Sequence, residues 1–183
     1  MRGDDDGKER WMSHGNQDPF RLGFLTAVED AERGFVGGLL VTNRFGRPLE
    51  FQCTAPVKPN RAQQILYGPT LRPFVLGELL GRTLVDKIGV KPHLVLIESD
   101  EILELRQHVS MVVASVKDSK PDDPSRLPLG MHAISFHPDF PSDRDEIAKH
   151  SKSILAEANM REPFERVREA LAETLRLGTA RTA

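Results

Sequence analysis

The chain has 183 residues, a mass of 20.5 kDa, a formal charge of −2 and a sequence pI near 6.3. That size suffices for one hydrophobic core without staples, and a lone cysteine, Cys53, excludes an internal disulfide. The near-balanced charge leaves no molecule-wide footprint for nucleic acid or anionic lipid, and the apolar runs fall well short of the roughly 18 residues that cross a bilayer.

The amino-terminal MRGDDDGKERWM has no apolar stretch of the secretory kind. With the single cysteine, this places the expected location in a reducing cytoplasm. Residues 1–18 are rich in Asp, Gly and Lys around one apolar anchor, Trp11, a composition that does not offset the entropy of ordering, and they are expected to be a tail. One α/β domain is expected over 19–178, with a second short tail at 179–183.

Within that domain LGFLTAVE from Leu22 reads as a first strand closed by the polar turn EDAERG. In FVGGLLVTNRFGRPLEFQC from Phe35, Val36, Leu39 and Val41 are strand formers, and Gly37 and Gly38 admit a close backbone approach or a bulge. Asn43 to Gly46 supplies a turn. Leu49, Phe51 and Cys53 then alternate with polar residues, which predicts a third strand with those three facing inward. The result is a three-stranded antiparallel meander, stopped by Pro56 and Pro59.

From Asn60 the period changes to that of a helix, with Asn60 as cap of a short helix through Leu66. A longer helix from Pro73 to Ile88 carries the stripe Val75, Leu76, Leu79, Leu80 and Leu84, with Gly77 and Gly81 as a packing groove. HLVLIE from His93 reads as a buried strand, followed by a short helix over Glu101 to His108 and a parallel strand at MVVASV. Lys117 to Gly130 is expected to be a surface loop, and Met131 to Phe136 a further strand. Ser142 with Asp145 resembles a capping box opening a helix. The last helix carries Phe164, Val167, Leu171 and Leu175 on one face, packed on the domain's own sheet, and Gly178 is expected to end it.

The predicted class is therefore α/β with a mixed sheet. Three antiparallel strands, a helix, then β, α, β and a terminal helix resembles the order of elements in ribonuclease H-like domains. The strand–turn–strand GGLLV to GRPLEF is also accommodated by the roadblock or profilin-like sheet used for dimerisation. The ribonuclease H-like resemblance implies acids that gather on the sheet to hold magnesium or manganese for phosphodiester attack. Its candidates are Glu29 or Asp30 on the first strand, Glu78 on the main helix, Glu98 or Asp100 after the fourth strand, and Asp143 or Glu146 on a late helix.

The other candidates are weaker. His132 and His137 face opposite sides of a strand, and no histidine spacing suits zinc. Cys53 has no basic neighbour to activate it and reads as a small buried hydrophobe, and no serine sits in a nucleophile elbow. Arg44, Phe45, Arg47, Lys58 and Arg61 are expected to converge as a contact patch at the hairpin and its exit. Lacking a complete catalytic set, the chain is expected to be a non-catalytic protein-interaction or regulatory module. A protein partner or a homodimer and no cofactor go with that expectation. The alternative is a ribonuclease H-like, metal-dependent nuclease, or an inactive relative of one, with nucleic acid as its partner.

Overall fold

A computed structural model of the chain describes residues 20–118 and 124–180, and the tail expected at 1–18 lies outside them. The three-stranded meander forms as expected. Strands β1 (Leu22–Asp30), β2 (Gly34–Thr42) and β3 (Pro48–Cys53) pair antiparallel in sequence order. The turn between β2 and β3 closes on Asn43, whose Oδ1 accepts from the amides of Phe45 and Arg47, and Gly46 supplies the φ of 80° that the turn requires.

Asn60 caps α1 (Arg61–Tyr67) in a full capping box with Gln63. The chain then continues through a 3₁₀ turn (Gly68–Thr70), α2 (Leu71–Pro73), a π-helical stretch (Phe74–Gly81) and α3 (Arg82–Lys87). Next come β4 (Leu94–Ile97), a 3₁₀ helix (Asp100–Gln107), β5 (Val112–Lys117), β6 (Leu127–Leu129), β7 (His132–Phe136), α4 (Ser142–Ser151) and α5 (Glu162–Ala180).

The seven strands form one mixed sheet in the order β3-β2-β1-β4-β5-β7-β6. β4 lies parallel to both β1 and β5, and β7 runs antiparallel to β5 and β6. A parallel β1–β4–β5 centre flanked by an antiparallel β2–β3 hairpin is consistent with the ribonuclease H-like order. Helices cover both faces. On one, Phe164, Val167 and Leu171 of α5 pack on Phe24, Val36, Leu40 and Leu96. On the other, Val75, Leu76, Leu80 and Leu84 pack on Leu25, Leu39, Val95 and Ile97.

Gly37 and Gly38 make both contacts close. A Cβ on Gly37 would stand 3.1 Å from Leu84 and 3.2 Å from Leu80, and one on Gly38 would stand 2.7 Å from Val167 Cγ1. The pair lets helices press on β2 from above and below, the close-approach outcome of the two the sequence allowed. α5 packs on its own sheet, as expected.

Several expectations need correction. Leu49 is exposed, because β3 is an edge strand and its register with β2 slips there, pairing Val41 with Glu50 and Thr42 with Pro48 and leaving Leu49 as the extra residue of a bulge; Phe51 and Cys53 are half-buried against the core. Leu79 is exposed as well, since the wider turn of the π-helix rotates it off the α-helical stripe. The segment expected as a loop contains β6, where Leu127 and Leu129 bury on either side of exposed Pro128. Proline is tolerated there because β6 is an edge. Ser142 does not cap α4; the N-cap is Pro141 and no side chain caps it. Gly178 lies inside α5, which runs on to Ala180.

Candidate functional site

Strand β1 leaves the sheet centre toward β2, whereas β4 leads toward β5, so the chain diverges between the carboxyl ends of β1 and β4. In open α/β sheets such a switch point is where ligands are taken. The register Leu25↔Ile97 puts Thr26 opposite Glu98 one step further on. Both side chains lie on the α5 face, since Phe24 and Leu96, two residues earlier, belong to that core.

Thr26 is buried, and its Oγ1 donates to Glu98 Oε1 at 2.7 Å. Arg168 reaches the same oxygen from α5 and forms an ion pair with it through Nη1. Arg168 adjoins Val167 on the flank of the helix's apolar stripe, so the close seating of α5 over Gly38 carries its guanidinium to the strand ends. The Glu98 side chain is 19% exposed and that of Arg168 40%.

Three more ion pairs, made by two cations, line this edge. Arg72 of α2 donates to Glu29 at 2.8 Å and to Glu101 at 3.0 Å. Glu29, and then Glu101, raise the Arg72 pKa above its ordinary value. Lys117 at the end of β5 donates to both oxygens of Asp100, at 2.6 and 2.7 Å, and holds that carboxyl below the usual range.

The candidate acids therefore do not assemble. Glu29, Glu98 and Asp100 share one edge, each with its own cation. Asp30 closes the β1–β2 turn, where its Oδ1 accepts from the amides of Glu32 and Arg33, and these bonds lower its pKa, that to Arg33 most. Glu78 lies 3.9 Å from His108, and Asp143 is buried against Arg106; both partners sit at or beyond the end of the 3₁₀ helix, toward the amino end of β5. Among the described residues no group of three or more His, Cys, Asp or Glu is placed to hold a metal ion. His132 pairs with Asn159 and His137 with Gln107.

The five expected contact residues split in the same way. Arg44, Phe45 and Arg47 occupy the β2–β3 turn beside the amino end of β1, with Arg44 over the exposed Phe45 ring at 4.7 Å. Lys58 donates to the Glu32 carbonyl at the opposite end of the hairpin, and Arg61 opens α1 close by in sequence. At about 3.3 Å per residue along β2, the two groups stand roughly 25 Å apart, so they do not form one patch.

Sequence reasoning missed Thr26, Arg72 and Arg168. One signal was present: Thr26 interrupts the apolar alternation of Phe24 and Val28, and a polar residue on a core face needs a partner. Nothing in the linear sequence says that α5 delivers Arg168 to it.

Among the described residues no helix is long and apolar enough to cross a membrane. No family model and no curated protein matches the chain. Its path resembles solved structures of endonuclease V. That from Ciona intestinalis, as a D234N variant in complex with a 23mer DNA containing an inosine followed by a ribo-adenosine, is 11% identical, with 87% of this chain and 88% of that one covered at a TM-score of 0.46. Human ENDOV is also 11% identical, with 87% of each chain covered at 0.46. The catalytic domain of human endonuclease V is 14% identical, with 88% and 86% covered at 0.42. The expectation of a non-catalytic interaction or regulatory module is corrected accordingly: the sheet has the order of the ribonuclease H-like alternative, and the solved structures it resembles are endonucleases.

Proposed function

We propose that this chain is a ribonuclease H-like domain of the nuclease class that works on nucleic acid at the carboxyl ends of β1, β4 and β5. One observation carries the reading. The parallel β1–β4–β5 centre beside the β2–β3 hairpin sets Glu98 at the switch point, beneath α5, where this order of elements implies an acid. Arg72, Lys117 and Arg168 add partly exposed cations along the same edge, suited to phosphate contacts.

Magnesium or manganese belongs to the nuclease reading, as the ion that makes a nucleophile of water. The donor set does not fit two ions: the described acids are dispersed, and those on this edge are already paired with Arg72, Lys117 or Arg168. The ion pair of Arg168 with Glu98 favours a second reading, an inactive relative that binds nucleic acid without cutting it.

Labelled single-stranded and duplex DNA and RNA, incubated with the chain in magnesium or manganese, distinguish the two. Cutting that is lost in Glu98→Gln supports the nuclease. Retention in a gel without cutting, weakened by Arg72→Glu and Lys117→Glu, supports the inactive relative. Neither retention nor cutting removes both.

A further inference from the structure

We infer that Arg168 is the resident cation of the Thr26–Glu98 corner, standing where a divalent metal would, and that the corner takes a divalent ion only when the guanidinium is removed. The inference rests on the ribonuclease H-like reading for the identity of the position and on the ion-pair chemistry for the rest. That order implies acids on the first strand, after the fourth strand and on a late helix. Here the three side chains that meet at the corner are a threonine from β1, a glutamate from the end of β4 and an arginine from α5.

The substitution changes the electrostatics. Three carboxylates in a partly buried corner repel one another and call for a metal. A threonine, a glutamate and an arginine sum to zero charge. Glu98, four-fifths covered, then has a hydroxyl donor and a guanidinium on one oxygen, as a buried carboxylate requires. The neighbouring cations are committed elsewhere, Arg72 to Glu29 and Glu101 and Lys117 to Asp100. A divalent ion entering the corner meets a positive charge already in place.

Thermal unfolding of the full chain, in EDTA, in millimolar manganese, and in sodium chloride of equal ionic strength, tests this without nucleic acid. Wild type is expected to melt at one temperature in all three. Arg168→Asp removes the cation and brings a second carboxylate to the mouth of the corner, and should melt at least roughly 2–4 °C lower in EDTA. Manganese, but not sodium chloride, should restore it, and adding Glu98→Gln should abolish the restoration. Arg168→Lys, which keeps the charge, should behave as wild type. If Arg168→Asp does not fold, Arg168→Glu, which carries the same charge on a longer stem, is read in the same way. Manganese that stabilises wild type as much as the variant, or that leaves the variant's deficit untouched, overturns the inference. Because these readouts involve no substrate, they succeed or fail independently of the nucleic-acid assay.

Discussion

Asp143→Ala separates an acid that holds the fold from one that serves chemistry. The Asp143 side chain is 2% exposed and that of Arg106 12%, and two parallel hydrogen bonds of 2.6 and 3.0 Å join them. Arg106 also lies 4.0 Å over the Phe140 ring and donates to the Val109 carbonyl at 2.9 Å. Truncating Asp143 leaves a nearly buried guanidinium with that one carbonyl as its remaining acceptor. Breaking a buried pair from one side costs about 3–5 kcal/mol. At about 2–4 °C per kcal/mol for a chain of this size, the melting temperature should fall by roughly 6–20 °C. Replacing both partners with apolar residues, as Arg106→Met with Asp143→Leu, should cost far less, because no charge is stranded. Urea unfolding followed by circular dichroism measures all three proteins. An Asp143→Ala loss under about 1 kcal/mol, or a double variant as unstable as the single one, would refute the reasoning.

Gly38→Ala should destabilise by about 1–3 kcal/mol, from overpacking against Val167 at 2.7 Å and Leu171 at 3.1 Å; equal or higher stability in urea would mean that α5 is not pressed on β2. The Asp100 carboxyl, lowered by Lys117, contributes stability above the unfolded value of about 3.9 and loses it as pH falls through the lower folded value. Stability curves between about pH 2 and 6 should therefore be flatter for Asp100→Asn than for wild type, and superimposable curves would count against the Lys117 pairing. Lys58→Glu with Arg61→Glu, on the Glu98 end of the sheet, should weaken nucleic-acid retention, whereas Arg44→Glu with Arg47→Glu, at the far end, should leave it unchanged. The reverse pattern would move the binding edge to the turn.

Local signals carried most of the architecture. Asn60 announced its helix start, Asn43 to Gly46 their turn, and Gly37 and Gly38 a place where neighbours could come close. What failed depended on neighbours distant in sequence. Leu49 alternates correctly yet lies on an edge, and Leu79 fits an α stripe that the π-helix distorts. The site was legible only in part. Glu98, with Asp100 as its alternative, was a candidate through the ribonuclease H-like order of elements, but its partners lie 72 residues upstream and 70 downstream. Which cation neutralises which acid is set by the packing of α2, α5 and β5 at one edge, and no local spacing encodes it.

The sheet's two margins are closed by residues that lack an amide hydrogen: Pro48 opens β3, and Pro128 is the middle residue of the three-residue β6. An incoming extended peptide would find an interrupted row of donors on either flank, which discourages ribbon-like stacking between copies. An incoming partner is left to recognise side chains, such as the row of paired acids and bases across the top of the central strands.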